Sequence, residues 1–425
     1  ISERLQRQHQ VVKPIHRIGF WQSLRLLTRP HIWVLSALFF VVVTPFELDQ
    51  SGIVYLLKIC ALLGMIAYAV IARDARTGRL SLLVMVVVFV MVLTNLSDLT
   101  ARTLIAVAAI VAGTLLGQTR GDKWNDEFRF IVFVYLVVHC VGLLYTASLF
   151  YGTGQLIELH GVVFQNESRT EAYVMIGRLS GFHTEPGTYS QWTLMSLYLL
   201  ALIQGRLFSI WNAFIALSVV VTVSLWGVLA FGVFAAAFVI EMLLSRTKSN
   251  KLRVVLSFVL FVGIVAVLAL NASSDVVDNA KELLELKGEM NTQSGLDKIY
   301  AMEFMRREFW DVIVLGSSFN PGFCPQCISP QDSGIGMTGA YYLGFLLFST
   351  LIITLGTKIF RNWNIGFIMP LALLLVWKAH LYEPLLWIII GYILKGPVSN
   401  GRPLSLGKRM WSEVLVQPNS HLGKR

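Results

Sequence analysis

Arg178-Leu-Ser-Gly-Phe-His-Thr-Glu-Pro-Gly-Thr-Tyr-Ser190 runs, after Gln191, into the apolar stretch 192–203, Trp-Thr-Leu-Met-Ser-Leu-Tyr-Leu-Leu-Ala-Leu-Ile. An arginine, a histidine and a glutamate fall within eight positions, at the entrance of a segment suited to hydrocarbon. Charge is costly to keep where a chain meets a bilayer, and it usually marks a working site. Pro186 fits the first turn of a helix, where no backbone N–H is needed. The stretch therefore reads as a polar loop that delivers ionisable groups to the mouth of a membrane helix.

The composition of the 425-residue chain supports this class. Hydrophobic residues make up 55% and charged residues only 14%, and the mean hydropathy is +0.65. We read an all-α polytopic membrane protein. The net charge of +10 then reflects lysines and arginines in cytoplasmic loops rather than a nucleic-acid surface. No basic stripe interleaved with aromatics is present, and no cleavable signal peptide is visible. Ile1 in place of methionine leads us to expect that the natural start lies upstream.

Hydropathy places about twelve transmembrane helices near 31–48, 52–72, 80–97, 103–118, 130–151, 186–204, 208–224, 225–244, 254–270, 336–357, 365–381 and 384–394. The organisation follows from these. A basic cytoplasmic segment 1–30 precedes helices 1–5 over 31–151. A first large periplasmic loop spans 152–185, helices 6–9 span 186–270, and a second large loop spans 271–335. Helices 10–12 span 336–394, and a cytoplasmic tail spans 395–425. Arg73, Arg76, Arg79, Arg120, Lys123, Arg129, Lys358 and Arg361 then share the side of both termini, whereas the opposite loops near 47–51 and 97–102 hold one basic residue, Arg102. The two large loops are too rich in aliphatic and aromatic residues for disorder, and each exceeds the usual length of a simple connection. Amphipathic helices are expected at 274–289 and 296–315, the latter around Arg306 and Arg307. We find no internal repeat.

Cys60 and Cys140 fall within spans and read as packing residues. Cys324-Pro-Gln-Cys327, in the second large loop, admits three readings: a redox centre, half a zinc site or a local disulfide. No further ligands stand at metal spacing, and an oxidising compartment favours the disulfide.

The chemistry collects on the loop side, at Arg169, Glu171, Arg178, His183, Glu185, Arg306, Arg307, Asp332, Lys378, His380 and Glu383. Arginine offers a planar fork of donors matched to phosphate. Carboxylates and histidines exchange protons near neutral pH. Together these suit attack by a hydroxyl on a substrate whose leaving group is an anionic lipid phosphate. The chain has no P-loop, H-E-x-x-H, G-x-S-x-G or sugar-nucleotide Asp-x-Asp element, which disfavours cytosolic nucleotide donors and zinc hydrolysis. Each residue also has a plainer role to weigh: Arg178 snorkelling to headgroups, His183 closing the turn before Pro186, Glu185 favouring a helix dipole. In the same way Arg306 and Arg307 read as a solvated face, Lys378, His380 and Glu383 as an interfacial collar, and Asp332 as a turn and cap residue.

Arg178-Leu-Ser-Gly-Phe-His-Thr-Glu-Pro186 resembles the arginine, glycine, aromatic, glutamate-proline pattern of Wzy-type bacterial polysaccharide polymerases, at the end of their first large periplasmic loop. Thr222-Val-Ser-Leu-Trp-Gly227 is similar to the serine-x-x-glycine element of those families. The stretch 306–316 and Asp332-Ser-Gly-Ile-Gly-Met-Thr-Gly-Ala-Tyr-Tyr-Leu-Gly344 resemble their second large loop and the glycine-rich entry to the next span. The resemblance covers most of the chain through the order of spans and loops. It implies a GT-C-like, metal-independent glycosyltransferase without a cofactor, in the bacterial inner membrane with its site facing the periplasm. The enzyme would join repeat units on undecaprenyl pyrophosphate into O-antigen, capsule or exopolysaccharide, with the lipid bilayer and a chain-length regulator as partners and no nucleic acid. Expected catalytic residues are Glu185, His183, Arg178 and His380. Expected substrate-binding residues are Arg169, Arg306, Arg307, Tyr189, Lys378, Glu383 and Asp332. Two alternatives stand beside it: an O-antigen ligase acting on a lipid A core, and a flippase of lipid-linked oligosaccharide.

Overall fold

The computed structural model describes residues 26–44, 52–73, 75–93, 101–155, 157, 159, 179–183, 185–222, 224–244, 293–312, 316, 324–327, 333–363 and 365–396. The expected span at 254–270 and the helix at 274–289 lie outside them, as do Arg169, Glu171, Arg178 and Asp332. Among the described residues the architecture is all-helical; the one extended contact is an isolated bridge between Arg76 and Arg120. The helices are α1 (Pro30–Val43), α2 (Gly52–Arg73), α3 (Leu82–Leu93), α4 (Ala101–Gln118), α5 (Asp122–Thr153), α6 (Pro186–Gln204), α7 (Ile210–Val221), α8 (Leu225–Leu244), α9 (Gln293–Glu308), α10 (Ile335–Leu343), α11 (Phe345–Asn362), α12 (Ile368–Leu375) and α13 (Pro384–Lys395).

Three of these are long and apolar enough to cross a membrane, over Val54–Arg73, Asp122–Thr153 and Phe345–Asn362, and shorter apolar helices accompany them. Large apolar side chains point outward from α2 (Leu56, Leu57, Ile71), α3 (Leu82, Phe89) and α11 (Leu346, Ile353). So much apolar surface would be unfavourable in water. The fold is that of a membrane-embedded helical protein.

At the centre stands α6, buried from Tyr189 to Leu202. A helix enclosed on all sides needs no polar face, and the polar residues it does carry turn toward its neighbours. α4 and α13 approach backbone to backbone. Gly113 and Gly117 on α4 meet the Pro384 carbonyl and the backbone of Ile388 and Tyr392, and Gly391 meets Thr114 in return. Apolar burial drives little association between helices in lipid, so small residues that let backbones touch carry this contact.

One end of the bundle is basic and well tied. Glu127 on α5 is buried and accepts Arg73 of α2 at 3.0 Å, with His31 at 3.5 Å and Arg29 at 3.6 Å. Lys395 closes α13 by donating to the Thr119 carbonyl at 2.7 Å and to Asn125 at 2.9 Å. The other end, where α6 and α13 begin, carries the irregular segments and is called the loop end below.

Several boundaries differ from those expected. The span at 336–357 is two helices broken at Gly344, where Phe345 N–H bonds the Val312 carbonyl at 3.3 Å and the backbone of Gly316 lies against Tyr342 and Gly344. The loop thus takes the hydrogen bond that would have continued the helix. The span at 365–381 is a 3₁₀ turn (Ile365–Phe367) and the short helix α12, after which 376–383 is irregular. Its backbone is claimed by neighbours: Trp377 O accepts Ile335 N–H at 3.0 Å, and Lys378 N–H donates to Gln191 Oε1 at 3.1 Å. Helix α5 is longer than expected, about 48 Å at 1.5 Å per residue, and overhangs a hydrocarbon core of about 30 Å.

Candidate functional site at the loop end

Two irregular segments, 179–183 and 376–383, lie against the first turns of α6. Each leads into a Glu-Pro pair. Glu185 and Glu383 are N-cap residues, and Pro186 and Pro384 open their helices. A carboxylate there complements the positive end of the helix dipole.

The first segment is fastened to α5. Gly181 has a φ of +58° and approaches the Leu143 backbone so closely that a Cβ would stand 3.1 Å from its nitrogen. A residue with a side chain is disfavoured on both counts. Phe182 packs on Gly142. His183 is thereby carried inward: it is buried, with its ring 4.7 Å from that of His139 and 5.6 Å from that of Tyr189. His139, the eighteenth residue of α5, is enclosed by Phe40, Tyr135 and Phe182. Neither of its ring nitrogens has a hydrogen-bond partner among the described residues. The same holds for the indole N–H groups of Trp192 and Trp377, whose rings are 5.2 Å apart. Buried polar atoms require partners.

The second segment is fastened to α2 by charge. Lys58 Nζ lies 2.8 Å from Glu383 Oε1, and both side chains are almost completely buried. Burial pushes the Glu383 carboxyl up from the usual carboxylate range, and the Lys58 ammonium pulls it back. Aromatic contacts flank the pair: Tyr55 meets Tyr382 at 4.9 Å, and His380 stacks on Tyr382 at 5.0 Å. Lys378 and His380 are half-buried on the same segment.

The expected site residues therefore divide. His183 and Glu185 lie at the start of α6, and Lys378, His380 and Glu383 lie on the segment before α13, which meets Gln191 of α6. Tyr189 is buried with its hydroxyl 2.8 Å from Ser218, a bond between α6 and α7 rather than a surface for substrate. Beside it, Ser190 donates to the Pro186 carbonyl and lies 3.0 Å from Thr222, so the Thr222–Gly227 element joins α6 to α7 and α8. Arg306 and Arg307 sit on α9, and α10 bridges from there to the site, with Ile335 bonded to Trp377 and Tyr341 packed on Phe304. Arg307 pairs with Glu308 at 3.2 Å in an exposed position. No group of three potential metal ligands occurs among the described residues.

Sequence reasoning missed two residues. They are Lys58 and His139. Each is a lone ionisable residue in an apolar run, Leu56-Leu-Lys-Ile-Cys60 and Leu136-Val-Val-His-Cys140, and that isolation was the available signal. The expected disulfide is formed between Cys324 and Cys327. Compared with known families, curated proteins and solved structures, the chain matches none.

Proposed function

We propose that this chain is a membrane glycosyltransferase that joins repeat units carried on undecaprenyl pyrophosphate at the periplasmic face of the bacterial inner membrane. It would have about twelve spans and both termini in the cytoplasm. The observation that supports the reading is that two Glu-Pro segments, one carrying His183 and Glu185 and the other Lys378 and His380, each contact the first turns of α6 at one end of a membrane bundle. Proton-exchanging groups and cations at one end of the bundle suit a hydroxyl attacking an anionic lipid-linked donor.

In this reaction an acceptor hydroxyl oxygen bonds the anomeric carbon of the growing glycan, and the bond from that carbon to the pyrophosphate breaks. Glu185 or His183 takes the hydroxyl proton, and His380 and Lys378 form the facing wall. The leaving pyrophosphate keeps the electron pair and is neutralised by Arg178 with Arg307, an effect worth several kcal/mol where charge develops in a dry site. Arg169 and Asp332 remain candidates for substrate contact. Glu383 and Tyr189 serve instead as supports, through Lys58 and Ser218. Neither a metal nor a cofactor enters the proposal.

The test uses purified protein, a synthetic lipid pyrophosphate-linked repeat unit and a chelator, without nucleotide sugar. A ladder of longer glycans is expected, lost in Arg178→Ala with the protein still inserted. Transfer that appears only when lipid A core is added assigns a ligase. A second reading is favoured by one specific observation: the Lys58–Glu383 pair and His139 place ionisable groups within the bundle, as in a transporter of lipid-linked oligosaccharide. Absence of any ladder or core transfer, with labelled lipid crossing a reconstituted bilayer, selects that reading.

A further inference from the structure

We propose that the open groove on α9 seats one anionic phospholipid of the surrounding bilayer, its phosphate on Arg306 and an acyl chain along the apolar lining. The groove has a volume of about 480 Å³ and is lined by Met302, Met305, Arg306, Phe309, Trp310 and Met337. Its origin lies in the two faces of α9. Tyr300, Ala301, Phe304 and Met305 pack toward α10 and the Cys324–Cys327 loop. Met302 and Arg306 stand one turn apart on another stripe, which Phe309 and Trp310 extend in the turn that follows α9. Met302 is 50% exposed and Trp310 is 77% exposed.

Depth identifies the occupant. The Phe309 ring stands 5.7 Å from that of Phe345, the first residue of α11. Helix α11 is long and apolar enough to cross a membrane, and Phe345 and Leu346 at its start are exposed. The groove is thus continuous with a lipid-facing surface at the level where that surface begins. Exposed tryptophan beside arginine is the pattern of a membrane–water interface. Charge agrees: Arg306 forms no ion pair among the described residues, whereas Arg307 has Glu308. A lone guanidinium over an apolar floor complements a phosphate with a hydrocarbon tail. The inference needs only the membrane reading and stands whether or not the chain transfers glycans.

The experiment is native mass spectrometry of the full chain, delipidated in detergent and titrated with phosphatidylglycerol or phosphatidylcholine of the same acyl chains. Photo-crosslinking with an acyl-labelled phosphatidylglycerol then maps the site. One phosphatidylglycerol is expected to bind in preference to phosphatidylcholine, with crosslinks on peptides containing Met302, Trp310 or Met337. Arg306→Gln should weaken phosphatidylglycerol about tenfold, the loss of one charge-assisted contact, and leave phosphatidylcholine unchanged. Arg306→Lys should retain the preference, and Trp310→Ala should weaken both lipids. Equal binding of the two lipids, crosslinks elsewhere, or Arg306→Gln binding as wild type overturns the proposal. So does a polyprenyl phosphate that displaces phosphatidylglycerol at equal concentration.

Discussion

Lys58→Met would leave the Glu383 carboxylate buried without its cation. Two unit charges 2.8 Å apart attract by about 6 kcal/mol at an effective dielectric of about 20. Removing each from water costs several kcal/mol, so the intact pair comes close to balancing itself. A lone survivor keeps its cost and loses the compensation. The single substitutions Lys58→Met and Glu383→Leu should therefore each destabilise by about 3–5 kcal/mol. The double variant, which removes both charges, should return close to the wild-type value. The assay is denaturant titration in one detergent, with protease cleavage of segment 376–383 as a second readout, because the pair fastens that segment to α2. Both singles should cleave faster there than wild type, and the double should not. The reasoning is refuted if either single lies within about 0.5 kcal/mol of wild type, the range of an exposed substitution, or if the double is as unstable as the worse single.

Three further outcomes follow from the packing and the cysteines. Gly117→Ala should abolish the folded monodisperse protein on size-exclusion chromatography, since a Cβ there meets the Ile388 and Tyr392 backbone, whereas Gly232→Ala on α8, with nothing within 4 Å, should elute as wild type. Glu127→Ala should cost about 1.5–3 kcal/mol, the value of hydrogen bonds to a charged group, mainly through Arg73 at 3.0 Å because Arg29 is half exposed; denaturant titration checks it. Alkylation of the denatured protein without reductant should label two of the four cysteines, Cys60 and Cys140, and all four after reduction, as counted by mass spectrometry.

The sequence by itself determined the class of this protein and most of its helix positions. Long apolar runs bounded by charge have few other solutions, because a backbone in lipid must satisfy its own hydrogen bonds. The prolines at 186 and 384 also marked two helix starts correctly, since proline removes a donor that a first turn does not use. His183, Glu185, Lys378, His380 and Glu383 were legible as a group because ionisable residues beside apolar runs are conspicuous. What they do to one another was decided only by the tertiary structure. Lys58 and Glu383 are 325 positions apart, and no local pattern states that one residue will meet the other. The same applies to His139 and His183, which meet because Gly181 and Gly142 let the loop backbone settle on α5. The break at Gly344 and the unwinding after Leu375 were likewise invisible to hydropathy. Hydropathy measures whether a segment prefers lipid, whereas these two breaks exist because Val312, Gln191 and Ile335 offer the backbone competing hydrogen bonds from elsewhere in the chain.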